Sequence, residues 1–199
     1  MQSTMQSTSI NAPSHSAMVR VTHWINVVSF FGLLISGIAI LIAHPRLYWG
    51  ETGNVEMPAL LNLRLPFVLV GQNGWGRYLH FLSAWICVLN GMVYVLSGMV
   101  ARHFLQLDES YNRSQRLTYL GVIFVVFPVV IWTGLAMSPA IVSVFPSLVT
   151  IWGGQQSART VHFVLAVAAV VFVLVHIIMV SRSGFVKQVT AMITGRSKS

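Results

Sequence analysis

Residues 158–182 read ARTVHFVLAVAAVVFVLVHIIMVSR. No Asp, Glu, Lys or Arg occurs between Arg159 and Arg182. A membrane-spanning helix needs about 20 consecutive apolar residues. The stretch therefore predicts a membrane-spanning helix over about residues 159–181, and two ionisable side chains, His162 and His176, lie inside it.

The whole chain shares this apolar character. Of its 199 residues, 55% are hydrophobic and 8% are charged, whereas an ordinary soluble domain is about 25% charged. So few charges exclude a disordered chain and disfavour a soluble enzyme. Further uncharged apolar runs predict spans at about 20–43, 77–101 and 116–138. The sequence thus predicts an all-α integral membrane protein with a four-transmembrane-helix bundle.

The distribution of Lys and Arg predicts the orientation of this bundle. Eight of these residues lie on the side that holds both termini and the 102–116 loop, and four lie on the other side. Because cytoplasmic loops carry the excess of positive charge, both termini are expected in the cytoplasm. We expect a flexible polar tail (1–19), a membrane domain (20–182) and a basic cytoplasmic tail (183–199). The net charge of +8 is therefore interpreted as topology and not as binding to nucleic acid.

Four of the seven histidines lie inside the predicted spans. Ionisable groups are costly in a bilayer, so they indicate function. His23, His80 and His162 each follow an arginine by three residues, and His176 precedes Arg182 by six. Each therefore lies about 4–9 Å inside a charged boundary. His23 and His176 share the cytoplasmic depth, and His80 and His162 share the outer depth.

The two histidines of the last span point to paired sites. His162 and His176 are 14 residues apart, which places them on nearly one helix face and about 21 Å apart along the axis. Two histidines at one depth suit haem b, whose iron accepts two axial imidazoles. Zinc fits less well, because no Cys, Asp or Glu lies near each pair. The alternative is that these histidines form hydrogen bonds between helices.

An arginine precedes three of the four histidines by one helical turn: Arg20, Arg77 and Arg159. Positions three apart lie on the same side of a helix. The guanidinium groups are therefore candidates for charge-assisted hydrogen bonds to haem propionates. The alternative is that they are the usual charged residues at the ends of membrane helices.

These residues resemble the bacterial cytochrome b561 superfamily, in the branch of nickel-hydrogenase, thiosulfate reductase and formate dehydrogenase cytochrome b subunits. The thiosulfate reductase type is the most similar. The resemblance rests on RVTHW (20–24), HPRLYWGETG (44–53), GRYLHFLSAWICVLNGMVYVLSG (76–98), QRLTYLGVIFVVFPVVIWTGLAMSP (115–139) and ARTVHFVLAVAAVVFVLVHIIMV (158–180).

The resemblance implies two b haems, held by His23 with His176 and by His80 with His162. It implies an electron-transfer subunit of the bacterial inner membrane, acting between the quinone pool and a periplasmic molybdenum or iron–sulfur enzyme. Such a subunit is part of an oxidoreductase rather than an enzyme alone. No motif identifies a quinone site, and polar residues near the cytoplasmic haem are the candidates: Asn26, Arg102, His103, Gln115 and Tyr119.

Two other functions remain open from the sequence. One is a stand-alone di-haem oxidase that reduces quinone with electrons from a small donor such as superoxide. The other is a non-haem transporter or assembly factor that uses the intramembrane histidines for protons or a metal.

Overall fold

The computed structural model describes residues 16–54, 56–63, 73–100, 117–118 and 120–195. Helices predominate in these ranges. In chain order the elements are α1 (Ala17–Ala43), β1 (Arg46–Leu47), β2 (Leu61–Asn62), α2 (Asn73–Val100), a π-helical segment (Val122–Val126), α3 (Phe127–Ala136), α4 (Pro139–Val142), α5 (Ser147–Thr150), α6 (Gln155–Arg182) and α7 (Phe185–Thr194).

Three of the described helices are long and apolar enough to cross a membrane: Ala17–Ala43, Gly74–Met99 and Gln155–Arg182. They coincide with the predicted spans 20–43, 77–101 and 159–181, which confirms that these three stretches are long apolar helices. The predicted span 116–138 corresponds to a shorter apolar helix, Val122–Ala136. Residues 116 and 119 of that span lie outside the described residues, and the fourth span stays a prediction.

The π-helical segment has a local cause. The N–H of Phe127 bonds to the carbonyl of Val122, five residues back. Pro128 follows directly, and a proline in a helix has no N–H and its ring clashes with the carbonyl four residues earlier. One wider turn before Pro128 accommodates this ring, which is a common use of π-helical turns.

Helices α1 and α2 pack closely through small residues. A Cβ on Gly32 would overlap Ser83 Oγ, and a Cβ on Gly76 would lie 3.4 Å from the Ala39 Cβ. Residue numbers rise along α1 from Gly32 to Ala39 while those of their α2 partners fall from Ser83 to Gly76. The two helices are therefore antiparallel. Small residues at the interface are typical of membrane helices, whose large apolar side chains face lipid. The described core accordingly contains Thr22, Ser29, Ser36, Ala39 and Ser83.

The segment between α1 and α2 docks on the start of α6. Strand β1 pairs antiparallel with β2, and the following Gly50 carbonyl accepts the backbone N–H groups of Gln156 and Ser157. The Ser157 hydroxyl accepts the N–H of Gly50 at 2.7 Å. The first turn of a helix leaves N–H groups without partners inside the helix. Gly50 satisfies two of them and so fixes where α6 begins.

The end of the chain folds back on its beginning. Gly184, with a φ of +99°, separates α6 from α7. The Arg20 Nη1 group donates to the carbonyl of Ile193 at 2.7 Å, and the Trp24 indole donates to the carbonyl of Met192 at 3.3 Å. The end of α6 therefore lies at the same end of the bundle as the start of α1.

Candidate haem-binding site

His80 and His162 face each other across the bundle. His80 lies near the start of α2 and His162 near the start of α6. Their ring centroids are 6.2 Å apart, with an angle of 61° between the ring planes. The structure thus brings together the two histidines that the sequence assigns to the outer depth.

The hydrogen bonds of Ser36 define the tautomer of His80. The Ser36 hydroxyl donates to the carbonyl of Gly32 at 2.6 Å and lies 3.0 Å from His80 Nδ1. Because its proton points to Gly32, its oxygen accepts from an Nδ1–H. The His80 ring also bonds to the backbone of Leu33. Nδ1 is therefore the protonated nitrogen, and Nε2 carries the lone pair that binds metals.

His162 has the same arrangement with partners on α3. The Thr133 hydroxyl donates to the carbonyl of Val129 at 2.8 Å and lies 3.0 Å from His162 Nδ1. The Val130 carbonyl, which can only accept, lies 3.1 Å from the same nitrogen. His162 is therefore also protonated at Nδ1, with Nε2 as its metal-binding atom.

The donor set of this pair fits a haem iron. Two metal–nitrogen bonds of about 2 Å, with about 1 Å from each nitrogen to its ring centre, would place the centroids about 6 Å apart. The observed 6.2 Å agrees. Among the described residues, no group of three or more His, Cys, Asp or Glu could hold a metal by protein ligands alone. Two imidazoles are what bis-histidine haem needs and are too few for a closed zinc site.

The other two histidines lie at the opposite end of the bundle. His23 lies in the second turn of α1 and contacts Trp24 edge-on, with centroids 5.5 Å apart. His176 lies near the end of α6, is exposed and stacks on Phe172 at 6.4 Å. Helix α7 ties the end of α6 to the start of α1, and the shared level of His23 and His176 stays a prediction.

The three predicted propionate partners have different surroundings. Arg20 donates to the Ile193 carbonyl, and Arg159 Nη2 donates to the His44 carbonyl at 2.5 Å. Both carbonyls belong to helix C-termini, where arginine commonly satisfies unpaired carbonyl groups. Arg77 is exposed near the start of α2. Arg20 and Arg159 thus have structural partners that the sequence analysis did not anticipate, and contact with propionates stays a prediction for all three.

Of the predicted quinone contacts, Asn26 is described, and Arg102, His103, Gln115 and Tyr119 lie outside the described residues. The Asn90 amide donates to Asn26 Oδ1 at 2.7 Å and to the Thr22 carbonyl at 2.8 Å. Asn26 therefore takes part in the contact between α1 and α2.

Sequence reasoning missed the two hydroxyl groups that orient the histidines. Ser36 and Thr133 are both fully buried. Serine and threonine in membrane helices commonly bond to their own backbone, so neither residue is conspicuous alone. A signal was nevertheless present, because Ser-Gly-Ile-Ala at 36–39 is matched by Thr-Gly-Leu-Ala at 133–136.

Membrane helices with a histidine pair suited to haem define a membrane cytochrome b. Comparison with known proteins agrees: the family described as prokaryotic cytochrome b561 matches residues 14–195, and the chain belongs to this family. It is therefore a membrane protein of electron transport that binds haem b.

A relative from Azospira oryzae (strain ATCC BAA-33 / DSM 13638 / PS) bears the name "Putative protein-methionine-sulfoxide reductase subunit YedZ1". It is 29% identical over 192 residues, which cover 84% of this chain and 89% of the relative. No solved structure matches the chain.

Proposed function

We propose that this chain is a four-span, di-haem cytochrome b of the bacterial inner membrane, with both termini in the cytoplasm. It transfers electrons between the quinone pool and a periplasmic redox partner. His80 and His162 hold the outer haem, and His23 and His176 hold the cytoplasmic-side haem. The observation that carries the proposal is the His80–His162 pair, with a ring separation of 6.2 Å.

The protein's own residues position and insulate the redox groups. Haem b, when bound, supplies an iron that takes up and releases one electron. Ser36 and Thr133 orient the two outer imidazoles, and their hydrogen bonds leave each Nε2 free to bind. The bilayer around the apolar helices excludes water and thereby helps to set the redox potential.

The relative's name supports a partner that reduces methionine sulfoxide in proteins. We propose that this partner is a molybdenum oxidoreductase subunit and that it docks at the outer end of the bundle. That end carries the β1–β2 pair, which docks on the start of α6, and the short helices α4 and α5, which connect α3 to α6. Electrons would then flow from quinol to the partner.

Among the described residues, an open cleft at the start of α1 is the best candidate for a quinone site. It has a volume of about 570 Å³ and is lined by Ala17, Arg20, Val21, Trp24, Ile25, Met192 and Ile193. The lining is mostly apolar, as a quinone ring requires. The buried Arg20 Nε has no hydrogen-bond partner among the described residues, and the Arg20 side chain also lines the cleft. His23 lies between two residues of this lining in the sequence.

Two measurements on purified protein test the proposal. A pyridine haemochrome assay should find two b haems per chain, and quinol oxidation should require the partner subunit. One haem or none would contradict the di-haem assignment. Full turnover of quinone with superoxide by the isolated chain would instead support the stand-alone oxidase. A colourless, folded protein would support the non-haem alternative.

A further inference from the structure

The same hydroxyl–glycine arrangement occurs twice around the outer histidine pair. Ser36 and Gly37 on α1 face His80, and Thr133 and Gly134 on α3 face His162. The histidines themselves lie on the helices that pack against α1 and α3. Two helix pairs from distant parts of the chain thus build matching halves of one site.

Each hydroxyl is locked in place by its own helix. Ser36 donates to the carbonyls three and four residues earlier, at 3.1 and 2.6 Å. Thr133 does the same at 3.0 and 2.8 Å. Neither hydroxyl proton is therefore directed at the histidine, and each oxygen is a fixed acceptor for an Nδ1–H.

The glycine after each hydroxyl lies beside the ring. A Cβ on Gly37 would lie 3.8 Å from His80 Cε1, and a Cβ on Gly134 would lie 3.5 Å from His162 Cε1, both ordinary van der Waals contacts. The two halves of the site therefore match in the position of the ring as well as in its hydrogen bond.

We propose that Ser36 and Thr133 are a matched pair of positioning residues that act on His80 and His162, the two histidines that would hold the outer haem. The proposal rests on the proposed His80–His162 ligation. By accepting Nδ1–H, each hydroxyl raises the basicity of its imidazole, as partners of metal-bound histidines do. A more basic ligand favours the oxidised iron, so the pair lowers the midpoint potential of the outer haem.

The test is a potentiometric titration, followed by absorption, of purified protein carrying substitutions at these two positions. Thr133→Val removes the hydroxyl at nearly constant volume, and Thr133→Ser keeps it. Ser36→Ala is matched by Ser29→Ala, which removes another buried hydroxyl about 10 Å along the same helix. Comparison of Thr133→Val with Thr133→Ser, and of Ser36→Ala with Ser29→Ala, separates the effect of the histidine hydrogen bond from that of packing.

Thr133→Val and Ser36→Ala should each weaken the preference for oxidised iron about tenfold, which is the size of the smaller losses of metal affinity caused by removing such partners. A larger effect is not expected, because a backbone carbonyl acceptor remains at each histidine. For a one-electron couple, tenfold corresponds to an upward shift of about 59 mV. Both changes should move the same haem, and the double variant should shift it about twice as far. The outer haem should keep the parent potential in Thr133→Ser and in Ser29→Ala. The other haem should keep its parent potential in every variant.

Three outcomes would overturn the proposal. They are unchanged potentials in Ser36→Ala and Thr133→Val, shifts in two different haems, or a shift in Thr133→Ser as large as in Thr133→Val. If Ser36→Ala does not fold, the valine and serine variants of Thr133 decide the question. Failure of the ligation itself is recognised separately, because His80→Ala would then retain the full haem content of the parent.

Discussion

The His80–His162 pair, proposed as the outer one, and the proposed cytoplasmic-side pair of His23 and His176 are built differently. The outer rings face each other at 6.2 Å, and each Nδ1 has a buried hydroxyl partner. On the cytoplasmic side, His176 is exposed and stacks on Phe172 of its own helix, and His23 packs edge-on against its neighbour Trp24. The polypeptide alone therefore organises the outer pair, whereas local aromatic contacts surround the other two rings.

The two histidines of α6 illustrate this difference. His162 links α6 to α3, so its ring contributes to the fold as well as to the proposed site. His176 has no comparable burial, and its position inside a membrane helix is the basis for the proposed ligand role. The comparison predicts unequal costs for removing the two side chains.

The largest effect is expected from His162→Ala. We expect it to lower the stability of the haem-free protein by about 2 kcal/mol or more, because it empties a largely buried site and leaves the hydroxyl of Thr133 with one fewer partner. His176→Ala, the matched control, should cost less than about 1 kcal/mol. Thermal unfolding in detergent measures both, and equal losses would contradict the asymmetry between the pairs.

Gly154→Ala should have the next largest effect and should act on the outer pair. Gly154 has a φ of +125°, and a Cβ on it would overlap the backbone of Gly50. The carbonyl of Gly50 accepts two N–H groups from the first turn of α6. We expect a loss of about 1–3 kcal/mol in unfolding free energy. The outer haem spectrum should change, and the other haem should not.

Gly153→Ala is the control for this prediction. Gly153 also has a positive φ of +72°, but open space surrounds its added Cβ. We expect Gly153→Ala to lower the free energy of unfolding by about 1 kcal/mol, because alanine is less stable than glycine in the left-handed conformation. If Gly153→Ala is as harmful as Gly154→Ala, the contact with Gly50 does not support the start of α6.

Arg20→Met should have the smallest effect, confined to the cytoplasmic-side end. Losing the bond to the Ile193 carbonyl costs about 1 kcal/mol, so amide hydrogen exchange in α7 should accelerate several-fold. Lys187→Met, an exposed change on α7 itself, should leave the exchange rates unaltered. Unchanged exchange in Arg20→Met would show that Arg20 does not hold α7.

The parts of this structure that follow from hydropathy could be predicted. Uncharged apolar runs indicate three candidate spans, and distance from flanking arginines indicates that His80 and His162 lie at one level. The family assignment is confirmed. These features depend on local composition and on helix geometry, both of which are visible in one sequence.

The parts that depend on distant contacts could not be predicted. The Arg20 guanidinium bonds to Ile193 and the Arg159 guanidinium to His44, and neither partner is near in sequence. The Tyr48 carbonyl accepts the Thr160 hydroxyl at 2.7 Å, which no hydropathy pattern indicates. The partners of Ser36 and Thr133 are likewise histidines on other helices, and only the matched Ser-Gly-Ile-Ala and Thr-Gly-Leu-Ala segments indicate these residues in the sequence.

A redox-titrated absorption spectrum of the parent and of His162→Ala tests the central claim most directly. The account predicts two one-electron transitions of low-spin haem b in the parent protein. It predicts a single transition, that of the His23–His176 haem, in His162→Ala. One transition in the parent, or two unaltered transitions in the variant, would contradict the assignment of the outer haem to His80 and His162.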